Sequence, residues 1–240
     1  MLTNSLLNGL CLPYFGQGHA GGDQLVDLDE FAPRTTSGWL RDELHVPTNA
    51  QVIASIGQIC LRKGWDTLAD ALMELAHQRP EAQLVLIGTR HSQKRETREY
   101  EDGIRRRFLA AGIEDRVHWL GERSDIPRIL NEVDLLVHSA RQEPLGRVLL
   151  EACASGVPIV ATDVGGTREL AVPDTHAIIV PPLDAEALAA GIDRAIADPA
   201  GRASRAAAAR RRIETDLSFD GRTRRLEAIY EELMSGVLHA

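Results

Sequence analysis

Apolar and polar positions along this chain follow two periods, and where they take over marks its organisation. Residues 1–45 hold neither period. Gly, Asn, Pro and Asp interrupt them throughout, so they read as an irregular leader and linker remnant. From Val52 the pattern becomes regular. VIASIG (52–57) is a short, β-branched apolar run ending in glycine, the pattern of a buried strand. QLVLIG (83–88), VHWLG (117–121), DLLVHS (134–139), PIVAT (158–162) and AIIVP (177–181) repeat it. Between the first runs, Trp65, Leu68, Ala69, Leu72, Leu75 and Ala76 recur at helical spacing, with Pro80 just beyond. An arginine-rich helix is predicted over about 93–111, stopped by Gly112. Ser124 is placed to cap a short helix carrying Ile126, Ile129 and Leu130. Further helices are predicted over 146–155 and near 184–198, 201–214 and 219–236.

Apolar strands that alternate with helices form βαβ units and a parallel sheet covered on both faces. The predicted fold is α/β, a doubly wound, Rossmann-like sheet over 46–240. Such sheets bind ligands outside the carboxyl ends of their strands. That rule points to the segments after Ile56, Ile87, Leu120, His138, Thr162 and Val180. A literal G-x-G-x-x-G at Gly16, Gly18 and Gly21 is discounted as a dinucleotide site, because acids and a proline follow where its helix should run.

Composition narrows the partners. A chain of 240 residues can bury a core without metal or disulfide staples. The net charge of -8 argues against a nucleic-acid binder. No apolar run approaches the roughly 20 residues of a membrane span, and the first residues lack a signal-peptide pattern. Cys11, Cys60 and Cys153 are odd in number and lack metal-ligand spacing, which suggests free thiols in a reducing cytoplasm. RASRAAAARRR (202–212) reads as a solvated helix face, with an anionic-surface site as the lesser reading. Leu226, Ile229, Tyr230, Leu233 and Val237 make an apolar stripe at helical spacing. It would pack on its own sheet, on a second copy, or on a separate subunit.

The segment richest in chemistry is SARQEPLGRVLLEACASG (139–156). Glu143 falls in a strand-to-helix loop, Pro144 suits a first helical turn, and Gly146 permits close backbone approach. Glu151 falls on the helix among Leu149, Leu150, Ala152 and Ala154, where a carboxylate is costly unless it meets water or a polar ligand. The arrangement suits a nucleotide. Free N–H groups of a helix's first turn receive phosphate, and one carboxylate can accept two hydrogen bonds from a ribose cis-diol. His118 and His138 read as core histidines with satisfied hydrogen bonds, and Asp134 as a polar residue at a strand start.

With seven residues between Glu143 and Glu151 in EPLGRVLLEACASGVPIVAT, the segment resembles the signature of retaining, two-domain GT-B glycosyltransferases of group 1 (family 4). The resemblance extends over about 26–235. VDLDEFAP (26–33) resembles the inter-domain linker, SIGQICLRKG (55–64) the first strand and phosphate loop, and VGGTREL (164–170) follows in order. It implies the C-terminal, sugar-donor-binding domain of a hexosyltransferase that uses a UDP- or GDP-linked sugar as substrate. No cofactor and no bound metal are implied. Glu151 would hold the ribose hydroxyls, and Glu143 would lie near the sugar ring. Lys63 would neutralise the diphosphate, since a fixed cation stabilises charge on a departing phosphate. Leu145, Gly146 and Arg147 would face sugar and diphosphate, Gly165 and Gly166 would form a tight turn beside the sugar, and the backbone at Trp119 and Leu120 would line the base pocket. Glu169 gains weight as a hydroxyl ligand of the sugar, and Arg168 beside it reads as part of a solvated turn. Transfer in the family is favoured to proceed by front-face attack, with the departing phosphate as base.

Two departures stand out. Gln58 occupies the place of a family arginine, a planar, always-charged fork suited to phosphate. Only about 45 residues precede the sheet, too few for the acceptor-binding domain. The alternatives to a transferase half are therefore a sugar-nucleotide-binding subunit working with a separate acceptor-binding subunit, or a remnant that self-associates.

Overall fold

A computed structural model of the chain describes residues 26–144 and 146–217, together with 223–224, 227–228, 230–231 and 234. Six parallel strands form one sheet: β1 (Gln51–Ile56), β2 (Ala82–Ile87), β3 (Val117–Gly121), β4 (Leu135–His138), β5 (Ile159–Thr162) and β6 (Ile178–Val180). Their order is β3-β2-β1-β4-β5-β6. The chain winds outward from β1 to β3, returns to β4 beside β1, and winds out the other way. This is a doubly wound, Rossmann-like α/β sheet, and its winding reverses between β1 and β4.

Helices cover both faces, which is why the strands are apolar runs rather than alternations. Side chains of one strand still point to opposite faces. Ile53, Leu84 and Leu86 enter the cluster beneath α2 (Trp65–Leu75), α3 (Arg95–Ala110) and α7 (Ala185–Ala197). Val52, Ala54, Val85 and Ile87 enter the other, beneath α1 (Trp39–Glu43), α4 (Ile126–Leu130), α5 (Arg147–Ala154) and α8 (Pro199–Arg212). Each fully buried aliphatic side chain contributes about 1.5–3 kcal/mol. The sheet is thereby a stiff base for the loops at its carboxyl edge, among them the one leading into α6 (Thr167–Leu170).

Several expectations change. The segment 1–45 is not wholly irregular, because α1 forms within it. Leu40 is completely buried there, and the Glu132 carboxylate accepts hydrogen bonds from the Ser37 and Gly38 amides at 2.6 and 2.9 Å. Ser124 does not cap α4. The helix begins one residue later than that cap requires, after Asp125, whose carboxylate is held by both arms of Arg123 at 2.8 Å. The arginines of 202–212 do not form a simple solvated face. Arg202 reaches Gln51 at 2.9 Å, Arg212 donates to the Glu169 carbonyl at 2.8 Å, and Arg210 donates to the Ala154 carbonyl. Two of these forks bind backbone carbonyls and one binds a side-chain amide, so the guanidiniums tie the helix to the rest of the fold. Of the C-terminal stripe, Tyr230 is exposed, and Leu226, Ile229, Leu233 and Val237 lie outside the described residues, as do Cys11, Gly16, Gly18 and Gly21. No helix among the described residues is long and apolar enough to cross a membrane.

Candidate functional site

β1 and β4 are neighbours whose following helices pass to opposite faces, so a crevice opens between their loops. The two loops are fastened together. Arg141 N donates to the Arg62 carbonyl at 2.8 Å, and Ser139 Oγ donates to the Lys63 carbonyl at 3.1 Å. Gly64, at φ +64°, lies so close to Ser139 that a Cβ would collide with its carbonyl oxygen. Behind them, the Arg141 guanidinium pairs with Asp66, and Tyr100 Oη donates to the same carboxylate at 3.0 Å. Burial, then the Asp66 charge, push the Tyr100 phenol well above its ordinary range, so it stays a proton donor.

Lys63 runs beneath this clasp and over Gly57, and its ammonium donates to Glu143 Oε2. The same oxygen lies 3.6 Å from His138 Nε2 and 3.7 Å from Arg62 Nη1. Burial alone would raise the Glu143 carboxyl. The His138 and Lys63 contacts and the Lys63 charge outweigh it and hold the group down at about 2. Glu143 is therefore an ionised carboxylate, only 12 % exposed, ringed by groups that favour its charge.

The loop after β5 closes the third side. Gly166 N donates to the Pro144 carbonyl at 3.2 Å, and Gly165, at φ +50°, presses on Glu143 so closely that a Cβ would strike the Glu143 carbonyl oxygen. α5 starts here. Gly146 occupies its N-cap and no side chain caps the turn. A helix N-terminus without a side-chain cap leaves donors and partial positive charge turned toward an anion. Glu151 lies one turn inside α5. Burial pushes its carboxyl up; Arg147, at 3.5 Å, pulls it part of the way back, and Glu30 pushes it further up. Side chains on a helix tilt toward its N-terminus, so Glu151 leans to the end of α5 that carries Gly146.

The structure brings Lys63, Glu143, Gly146, Gly165 and Gly166 into one contact network, with Glu151 and Arg147 flanking it on α5. Gln58 stands half-buried at the head of the β1 loop, between amides of Gly57 and Ile59 that donate to Ile87 and Thr89 carbonyls at 2.9 and 3.0 Å. Leu120 is apart from this network, on edge strand β3, two strand spacings or roughly 10 Å from β1. The Trp119 ring turns to the opposite face, against Trp65 and beneath Arg105. Leu145 lies outside the described residues. Arg168 is taken up by Asp163 at 2.6 and 2.7 Å, and Glu169 is exposed.

His118 Nε2 lies 3.0 Å from Gln83 Oε1, so its hydrogen bond is satisfied as expected, but the ring is half-buried on edge strand β3 rather than in the core. Asp134 accepts from Val52 N and Arg41 at 2.8 and 2.6 Å, a strand-start role. His138 departs from expectation. It is buried, yet neither ring nitrogen has a hydrogen-bond partner among the described residues, and it faces Glu143. The one sequence signal for it was its place at the carboxyl end of β4. Asp66, Tyr100 and Arg141 also escaped the sequence, which offers no signal joining them. No group of three or more His, Cys, Asp or Glu among the described residues is arranged to hold a metal ion.

Residues 40–212 match the family model for glycosyl transferases group 1. The lipopolysaccharide core biosynthesis mannosyltransferase LpsB of Rhizobium meliloti is 30% identical over 215 residues, 87% of this chain and 59% of that protein. A GDP-mannose-dependent monoacylated alpha-(1-6)-phosphatidylinositol monomannoside mannosyltransferase of Corynebacterium glutamicum is 32% identical over 217 residues, 86% of this chain and 54% of that protein. The chain thus spans little more than half the length of these relatives. The crystal structure of Anabaena Alr3699/HepE in complex with UDP-glucose superposes with a TM-score of 0.74 at 29% identity, covering 88% of this chain and 56% of that one. The C-terminal domain of the group 1 protein LpcC from Francisella tularensis shares the fold, with a TM-score of 0.73 at 23% identity, and is covered over 99% of its length.

Proposed function

The chain belongs to the group 1 glycosyl transferases, and from that premise we propose that it is the sugar-donor-binding half of a retaining hexosyltransferase that uses a nucleoside-diphosphate sugar. The observation that carries this reading is the meeting of Lys63, Glu143 and the N-terminus of α5 at the point where the sheet's winding reverses. A nucleoside diphosphate laid there would put its phosphates on the first-turn amides of α5 and on Lys63. Glu151, short of partners, would take the ribose hydroxyls. Glu143 would lie beside the sugar ring, Gly165 and Gly166 would bring backbone to its edge, and Leu120 would border the base. As the glycosidic bond lengthens, negative charge grows on the phosphate. Lys63 and the amides are fixed before that charge appears, and one such group contributes about 2.7–4 kcal/mol in comparable sites. A UDP-glucose complex among the structural neighbours and a GDP-mannose-dependent relative support UDP- or GDP-linked sugars as the ligands to try. Cys60 and Cys153 are free thiols, which fits a reducing compartment, and we assign the protein to the cytoplasm.

The test is a thermal-shift screen of the chain against UDP, GDP, ADP and their sugar conjugates. A ligand at a hundredfold over its Kd stabilises by about 2.7 kcal/mol. The reading expects one base to raise the midpoint and Glu151→Ala to abolish the shift. Unchanged binding in Glu151→Ala defeats it. A chain that binds the sugar donor yet neither hydrolyses nor transfers it is a sugar-nucleotide-binding module.

A further inference from the structure

His138 ends β4 at the carboxyl edge of the sheet, 3 % exposed, with neither Nδ1 nor Nε2 hydrogen-bonded among the described residues. A buried polar group left without a full hydrogen bond is destabilising, so its retention calls for an explanation. Nε2 points at Glu143 Oε2, 3.6 Å away, the oxygen that also receives the Lys63 ammonium. The charged groups acting on the ring are Glu143 from the β4–α5 loop and Lys63 and Arg62 from the β1 loop. β5, on its other side, presents Ala161 in register and the Thr162 hydroxyl, which donates to the His138 carbonyl at 3.3 Å.

While Lys63 sits on Glu143, burial and then the neighbouring cations disfavour imidazolium more than Glu143 favours it. A diphosphate alters both sides of that balance. It adds negative charge to the crevice, and it competes with Glu143 for the ammonium. Glu143 then loses its nearest cation, and the ring loses a cation that repelled protonation; both changes favour a proton on Nε2.

We propose that His138 is a positioning residue: as a nucleoside diphosphate draws Lys63 off Glu143, the His138–Glu143 pair takes up a proton from solvent, and His138 holds the carboxylate in place of Lys63. No covalent bond is made or broken, and the proton returns to solvent when the nucleotide leaves. The inference rests on the reading of this crevice as the sugar-donor site.

Titration calorimetry of the chain with UDP, GDP and ADP in turn, near pH 7 and in buffers of different ionisation heat, counts the protons. The wild-type chain is expected to take up about half to one proton more per bound nucleotide than His138→Gln, which keeps a donor but cannot become a cation. Nucleotide binding with equal uptake in the two chains overturns the inference and leaves the sugar-donor reading standing; failure of every nucleotide to bind overturns both. A second arm needs no ligand. Followed by imidazole nitrogen NMR, the His138 protonation midpoint should rise by about one pH unit or more in Lys63→Met. An unchanged midpoint overturns the inference by itself.

Discussion

Glu143 and Glu151 are the same side chain on two sides of one helix start, and their surroundings oppose each other. The loop around Glu143 supplies Lys63, with Arg62 and His138 close by, and the carboxyl is held down at about 2. α5 supplies Glu151 with apolar neighbours and one mostly exposed arginine, and burial pushes its carboxyl up. The first carboxylate is satisfied by the folded chain. The second is held short of partners, the state in which a hydroxyl-bearing ligand gains most from meeting it.

The contrast can be broken most forcefully at Lys63. Lys63→Met leaves Glu143 buried without its main cation, and removal of one partner of such a pair typically costs 3–5 kcal/mol; urea unfolding at neutral pH should show a loss of about that size. Next is acid. Glu143 ionises at about 2 in the folded chain against an ordinary 4.5, so the unfolded chain takes its proton first. Its contribution, on the order of 3 kcal/mol, is complete above the unfolded value and disappears as pH falls through the folded one. Urea midpoints from pH 6 to 2 should fall less steeply in Glu143→Gln than in wild type, and parallel curves would contradict the assignment. Gly165→Ala would force the β5 loop off the Glu143 carbonyl, a cost of about 1–3 kcal/mol by overpacking, and nucleotide affinity should drop with it.

On the α5 side the sign reverses. A carboxyl raised by burial penalises the folded state when ionised, and that penalty fades as pH falls through its raised value. Glu151→Gln should therefore raise the Tm of the ligand-free chain, while it weakens nucleotide binding. A lower Tm would show that Glu151 is better satisfied than its surroundings imply. The smallest expected effect is at Gln58. Gln58→Arg adds a charged fork at the head of the β1 loop and should tighten nucleoside-diphosphate binding several-fold by calorimetry; weaker binding would rule the position out as a phosphate contact.

The strands were legible because burial on both sheet faces writes itself into the chain as short β-branched runs; VHWLG forms β3 at the expected positions, Val117–Gly121. The place of the crevice was legible for the same reason, since strand ends and glycines mark the loops. α1 was not. WLRDE carries no helical period of its own, and the segment is fixed by Glu132, more than ninety residues away. Tyr100, Asp66 and Arg141 were hidden likewise, because Tyr100 reaches Asp66 only through the packing of α3 beside α2, and Arg141 only through the pairing of β4 with β1. His138 was misread for a different reason: a sequence can place a histidine in a strand but cannot tell whether its ring nitrogens find partners.

The carbonyl of Arg62 accepts two amides from the far loop, those of Arg141 and Gln142, at 2.8 and 3.4 Å. Lengthening either loop by a residue would unhook both bonds at once. Anyone splicing chimeras from members of this family should therefore take 57–66 and 139–146 from the same parent, because a crossover placed between them would draw the two halves of the clasp from different chains.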